Sequence, residues 1–278
     1  MASAIMGMLA ETNLHPGTGQ VSGAVDLPVA REKTTDYPVI AGSSLKGALR
    51  DSTEQHQKAG YPGLDIEQIF GSQKQAAAIA VTDGRLLLLP VRSLNSHYKW
   101  VTCPYLLERY QRDCGLAGVP VEPFDLQPFY NLKEAKAAAA GKGRLYLEDA
   151  HFEIVELDLA PLADALKPLV RHPSVKERLA ENLVVISNDE FSFFARYALA
   201  VNARNLLDDQ KISQNLWYEE TIPPDTLFYA LLLARPGEEG SLKSLVELFQ
   251  QHPYLQVGGN ETIGQGWSTV NLLYGGAS

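Results

Sequence analysis

The sequence predicts a mixed α+β protein. Two patterns carry that expectation. Several stretches alternate apolar and polar residues, as half-buried strands do, and others space apolar residues three and four apart, as amphipathic helices require. The chain has 278 residues, 45% hydrophobic and 21% charged, which is enough material for a sizeable core. The length alone allows one large domain or two small ones.

The first expected element is a short strand at residues 5–10, IMGMLA. Residues 11–42 follow, punctuated by glycine and proline, with no sustained period. A long irregular stretch inside a compact domain is commonly functional. In GSSLKGALRDSTEQHQ, Ser43 or Ser44 is expected to cap a helix. Leu45, Ala48 and Leu49 then share one face, while Lys46 and Arg50, four apart, share a solvent-facing stripe. Residues 77–92 read as two strands joined by an Asp83-Gly84 turn. Residues 104–115 read as a helix ending at Gly115, and KEAKAAAAGKG as a surface helix or insertion. RLYLEDAHFEIVELDL reads as a hairpin. Residues 159–183 read as helical on both sides of Pro173, and VVISND as a strand. Residues 192–237 alternate across two or three long strands. SLKSLVELFQQH reads as a helix capped by Ser241. The chain closes with a strand, a glycine loop and a last strand in YLQVGGNETIGQGWSTVNLLY. A β–α–β…β–α–β core of the ferredoxin-like type with large insertions fits this order, and other α+β arrangements fit it almost as well.

Charge and cysteine usage narrow the function. The balance is 24 Lys+Arg against 33 Asp+Glu, a formal net charge of −9. A free-standing nucleic-acid binder usually has a basic excess, but one basic face on an acidic body remains compatible. Residues 31–50 reverse the local sign: Arg31, Lys33, Lys46 and Arg50 stand against Glu32 and Asp36. Cys103 and Cys114 lack metal-type spacing and read as a reduced pair in a cytoplasmic protein. No apolar run is long enough to span a bilayer, and the first residues lack the pattern of a signal peptide.

Several residues invite chemistry. Asp26, in QVSGAVDLPVAR, is either a turn residue bonding nearby backbone or a carboxylate held out for a reaction. Lys46 and Arg50 beside a helix start suit phosphate contact; by spacing alone they suit a solvated face equally. GGNETIGQGW lacks the strand–loop–helix order and the lysine of nucleotide-binding loops. Its Gly259, Gly264 and Gly266 either let backbone approach phosphates or serve a hairpin connection. Trp267 and Tyr254 beside it read as core residues. Tyr218, Glu219 and Glu220 form a second acidic and aromatic candidate, in which consecutive strand residues face opposite sides; as plain structure they would be an exposed strand pair. His56, His97, His151, His172 and His252 show no partner pattern.

Three motifs together, residues 15–51, LWYEETIPPDTLFYALL (216–232) and GGNETIGQGW (258–267), resemble the RAMP superfamily of CRISPR proteins. Within it they are most similar to the repeated backbone subunits of type III-B effector complexes. The resemblance implies a single domain over 1–278. A ferredoxin-like (RRM-like) palm would come from 1–92 and 183–278, with a helical and hairpin insertion at about 93–182 and a β-hairpin thumb. It implies copies stacked in a helical filament with other complex subunits along a CRISPR guide RNA. The target would be single-stranded RNA, cut at regular intervals with a divalent ion, Mg²⁺ or Mn²⁺, bound only when RNA is present. Asp26 matches the family's catalytic acid, which would also hold the metal with phosphate and water. His15, in HPGTG, matches a histidine of the same loop and is the candidate catalytic helper of Asp26. Ser44, Lys46 and Arg50 match the guide-contacting helix, and Arg31, Gly259, Gly264 and Gly266 join the expected RNA contacts. A non-cutting backbone subunit and a stand-alone guide-processing nuclease are the alternatives.

Overall fold

The computed structural model describes residues 2–19 and 23–275. Residues 20–22 of the Asp26 loop lie outside the described residues. The strands are β1 (Ser3–Ala10), β2 (Val39–Ile40), β3 (Ile79–Val81), β4 (Gly84–Arg92), β5 (Tyr98–Thr102), β6 (Lys136–Ala139), β7 (Arg144–Leu147), β8 (Ala150–Val155), β9 (Leu183–Val185), β10 (Ala200–Leu207), β11 (Ser213–Thr221), β12 (Leu227–Ala234), β13 (Tyr254–Gln256) and β14 (Trp267–Gly275). The helices are α1 (Gly42–Lys58), α2 (Ile66–Phe70), α3 (Pro104–Ala117), α4 (Gln127–Tyr130), α5 (Ala160–Leu166), α6 (Pro173–Asn182), α7 (Asn188–Tyr197) and α8 (Glu239–Gln251).

β1 lies at the centre, antiparallel to β12 on one side and β14 on the other, with Ile5 opposite both Leu231 and Leu273. β13 extends the sheet beyond β14, and β4 beyond β12; from there the order runs β5-β9-β6-β8-β7. The β5–β9 and β6–β8 pairs are parallel, so the sheet is mixed. Helices α8 and α3 pack on the central strands, as does the 3₁₀ turn at Lys167–Leu169, while α1 packs on β3 and β13. This cover accounts for the continuous apolar sequences of β1 and β12, which are buried almost throughout instead of alternating. At Gly7 a β-carbon would come within 2.2 Å of the Leu169 carbonyl, so glycine there lets the 3₁₀ turn sit directly on β1. β10 and β11 form a separate two-stranded ribbon. Its outer part is exposed, including Leu206, Leu207, Ile212 and Leu216.

The mixed α+β class and most elements match the sequence-based expectation, with local corrections. β3 and β4 do not pair with each other. Both run along β12, Val81 opposite Leu232 and Leu88 opposite Leu227, as one interrupted strand. Asp83, expected in a hairpin turn, instead accepts the Gly42 N–H at 2.7 Å. α1 accordingly starts at Gly42 with Ala41 at the cap position, and Ser43 and Ser44 lie inside its first turn. α3 passes through Gly115 and ends where Gly118 takes φ 59°. The alanine run is not a surface helix. Ala137–Ala139 are buried in β6 between β8 and β9, where pairing overrides helix propensity. Residues 192–197 are helical, in α7. Its cap is Ser187, whose hydroxyl accepts the Glu190 N–H at 3.3 Å and donates to the Glu190 carboxylate at 2.7 Å. Ser241 lies within α8, behind Glu238 at the cap. Cys103 and Cys114 are free and buried; burial raises the Cys103 thiol to about 11 and the Cys114 thiol to about 12.

Candidate nucleic-acid interface

The buried end of β11 gathers three loops that are far apart in sequence. The Asp26 stretch lies parallel to it: the Leu27 N–H donates to the Tyr218 carbonyl and the Glu220 N–H to the Leu27 carbonyl, each at 3.0 Å. The Asp26 carboxylate accepts the Tyr218 N–H at 2.8 Å. Asp26 remains half-buried, and the Tyr218 ring beside it is exposed.

Glu219 and Glu220 are not an exposed pair; both are buried. The Glu220 carboxylate takes the Val29 N–H at 3.1 Å through Oε2 and Arg31 Nη2 at 2.7 Å through Oε1. The Glu219 carboxylate takes Arg204 Nε at 3.2 Å and the Asn260 amide, and its Oε1 lies 3.9 Å from His15 Nδ1. The two acids therefore bracket the loops together, one from each face of the strand. Arg31, expected at RNA, is turned inward. Besides Glu220, its guanidinium donates to the Asp36 and Ala195 carbonyls at 2.8 Å.

His15 is buried under the same knot. Its Nδ1–H donates to the Glu220 carbonyl at 2.8 Å, and its own carbonyl accepts the Gly259 N–H at 3.0 Å. Gly258 next to it has φ 92°, and a β-carbon there would sit 2.7 Å from the His15 oxygen. Only glycine lets the C-terminal loop lie flat on the N-terminal one. Gly266 is equally constrained, at φ 92° and against Val257 and Gln256, whereas Gly264 at φ 80° faces open space.

α1 divides the surface beside this knot. On one flank Ser44, Gly47 and Asp51 face Pro16, Gly17, Gly258 and Gly259 across a groove of about 410 Å³. On the other flank Lys46 and Arg50 line a cavity of about 690 Å³ with Arg235 and the 70–77 loop, and no carboxylate lines it. Arg50 is tied to Glu54 at 2.8 Å and to the Gly71 carbonyl at 3.0 Å, leaving Lys46 the freer cation. Tyr254 and Trp267 are not core residues. Both are exposed and line a cleft with His56 and His252, whose tilted rings lie 4.3 Å apart. The His252 contact and the opened cleft carry no signal in the local sequence. His172 is bonded to Glu11 at 2.8 Å, and His97 and His151 are exposed. Among the described residues no three His, Cys, Asp or Glu side chains gather as a metal would need. No described helix is long and apolar enough to cross a membrane.

Comparison with known proteins identifies the family of the chain. The family model of the RAMP superfamily matches residues 8–269. The CRISPR system Cmr endoribonuclease Cmr4 of Pyrococcus furiosus is 33% identical, covering 98% of this chain and 96% of that protein. The crystal structure of oligomeric Cmr4 from Pyrococcus furiosus matches with a TM-score of 0.77 and 30% identity, over 99% of this chain and 98% of that one. A chain in the cryo-EM structure of the type III-B Cmr-beta complex bound to cognate target RNA shares the fold, with a TM-score of 0.76 at 21% identity over 97% of this chain and 96% of that one. The chain therefore belongs to the RAMP superfamily, as a homologue of Cmr4.

Proposed function

We propose that the protein is the backbone subunit of a type III-B CRISPR effector complex, and that it binds guide RNA and cuts complementary target RNA. The observation that carries this reading is a half-exposed carboxylate, Asp26, in a loop pinned to β11 and bridged through Val29 to Gly17, which lines the groove between α1 and the glycine-rich loop. The antiparallel order β14-β1-β12-β4, with α1 and α8 as its crossovers, supports reading 1–92 and 183–278 as a ferredoxin-like palm. Residues 93–182 are then the insertion, and the protruding β10–β11 ribbon the thumb. Partners in this reading are guide RNA, single-stranded target RNA, further copies of the chain in a helical filament and other Cmr subunits, within the cytoplasm.

RNA cleavage by attack of the 2′-hydroxyl needs a proton acceptor, a stabiliser of developing charge and a proton for the leaving oxygen. Asp26 has one oxygen on the Tyr218 N–H, which fixes the carboxylate; the other is available to the reacting groups. With Glu219 and Glu220 spent on internal partners, Asp26 is the carboxylate of the β11 loop knot left for a divalent ion. That suits Mg²⁺, which typically takes one or two carboxylates and fills its shell with phosphate and water; such an ion supplies charge stabilisation at the phosphate. His15, held by the Glu220 carbonyl and covered by Gly17, acts as a positioning residue for the loop. Lys46 contacts guide phosphate and Ser44 lines the groove. Gly259 approaches the backbone from the opposite wall.

The test is incubation of the assembled complex with labelled complementary RNA and Mg²⁺. A ladder of regularly spaced products is expected. Tight target binding without products would favour the non-cutting backbone subunit, a reading supported by the use of Asp26 to hold Tyr218. Cleavage of repeat RNA by the isolated chain would favour a guide-processing nuclease.

A further inference from the structure

A separate cavity of about 550 Å³ lies between the 31–34 loop, the start of β4 and α3, and it shares no lining residue with either groove beside α1. On a chain of net charge −9 its wall is cationic: five Arg and Lys side chains face three carboxylates. The carboxylates already have internal partners. Glu32 takes Arg109 Nη1 and the Thr35 hydroxyl, each at 2.6 Å. Asp113 takes Arg85 and the Tyr229 hydroxyl. Asp83 takes the Gly42 N–H.

The cations are less well served. Arg109 is 8% exposed, yet its Nε and Nη2 are shielded from water and have no acceptor. A buried guanidinium with two unpaired nitrogens is costly, because it has lost water and gained too little in return. Tyr105, half-buried at the rim, covers it with its ring at 5.4 Å. Lys33 is exposed and has no ion-pair partner among the described residues. Arg112 is largely exposed and meets Glu108 only at 3.6 Å.

We propose that this cavity binds a phosphate group, with Lys33 and Arg112 closing on it from the rim and Arg109 supplying the floor as the Tyr105 ring turns aside. Several guanidinium forks around one space match phosphate, whose oxygens accept charge-assisted bonds from several directions. The volume is that of a small-molecule site, roughly 300–1,000 Å³, so the group has room for what it is attached to. Free phosphate and the backbone of an RNA present the same chemistry here. The site stands whether or not the chain cuts RNA.

The experiment titrates sodium phosphate, and separately a short single-stranded oligoribonucleotide, into the full chain by calorimetry. Wild type is compared with the double variant Lys33→Ala/Arg112→Ala and with Lys243→Ala, an exposed α8 cation that lines none of these cavities. Both rim residues are exposed, so the double variant should melt like wild type. Saturable phosphate binding is expected, weakened about tenfold or more by the double variant and unchanged by Lys243→Ala. If oligoribonucleotide binding weakens in parallel, the phosphate is that of RNA backbone; if it is unchanged, the ligand is free phosphate or a small phosphorylated molecule. No saturable phosphate binding, or equal binding by wild type and the double variant, would overturn the proposal. So would an equal loss in Lys243→Ala.

Discussion

Asp26 illustrates how one residue serves structure and chemistry together. Its carboxylate holds the Tyr218 N–H, a bond that asparagine reproduces through its side-chain carbonyl while removing the charge. Asp26→Asn should therefore keep RNA binding within about twofold and abolish cleavage, a loss on the order of 10²-fold or more for a group acting in proton transfer or charge stabilisation. Asp26→Ala should cut no better and also lose the hydrogen bond, about 1 kcal/mol, read as a lower melting temperature. Cutting by Asp26→Asn at the wild-type rate would remove the acid from the mechanism. For His15 the decisive readout is the pH profile. His15→Ala should slow cleavage without moving the profile, as positioning requires; a moved profile would give the imidazole a proton to carry. Away from the site, burial raises the Asp225 carboxyl above its ordinary value, against the opposing pull of Tyr98 and Arg178. An acid whose folded pKa is raised favours the fold while protonated and loses that contribution as pH rises through the folded pKa. Asp225 also sits at φ 66°, which asparagine tolerates. Asp225→Asn should thus melt higher than wild type at pH 7, and the gap should close towards pH 3. A gap that persists in acid would place the effect elsewhere.

Elements differed in how openly the sequence announced them. α1, α8, the β7–β8 hairpin and the closing β13–β14 pair follow from local periodicity, because each is amphipathic or turn-bounded on its own. β6 does not: its alanines prefer helix in isolation, and only β8 and β9 make a strand of them. Asp83 looked like a turn residue because its partner, Gly42, is 41 residues away. The cap of α7 was legible, since Ser187-Asn-Asp-Glu190 is a capping box, but the alternation that follows masked it. The site was legible in the same uneven way. Asp26, His15 and the glycine loop stand out as motifs, whereas the burial of Glu219, Glu220 and Arg31 depends on cross-chain bonds that no local pattern encodes. The loop-on-loop packing yields a prediction of its own. Gly258→Ala must place a methyl 2.7 Å from the His15 oxygen at φ 92°, whereas Gly264→Ala meets only the backbone cost of φ 80°, on the order of 1 kcal/mol. Gly258→Ala should therefore lower both melting temperature and RNA affinity, and Gly264→Ala should do so less. Equal effects would show that the contact between the loops does not organise the groove.

Across the whole molecule, the acidic surplus decides where an anionic ligand is able to lie. A chain of net charge −9 repels RNA over most of its surface, so binding depends on the few places where cations outnumber acids. The cavity beside α1 is one, with Lys46, Arg50 and Arg235 on its wall and no carboxylate. Long-range repulsion and local attraction both respond to salt, but only direct phosphate neutralisation changes the slope of log affinity against log salt, by about 0.7 for each single-strand phosphate. Lys46 and Arg235 have no ion-pair partner among the described residues, so alanine at either should reduce the slope by about that amount. Arg50 is different. Its guanidinium already bonds Glu54 and the Gly71 carbonyl, so Arg50→Ala should loosen the 70–77 loop and lower the melting temperature more than it changes the slope. The measurement is guide-RNA affinity across a salt series for the three variants, beside their melting curves. A slope loss of about 0.7 with Arg50, and none with Lys46 or Arg235, would mean that RNA breaks the internal bonds on binding and takes a path other than the open side of α1.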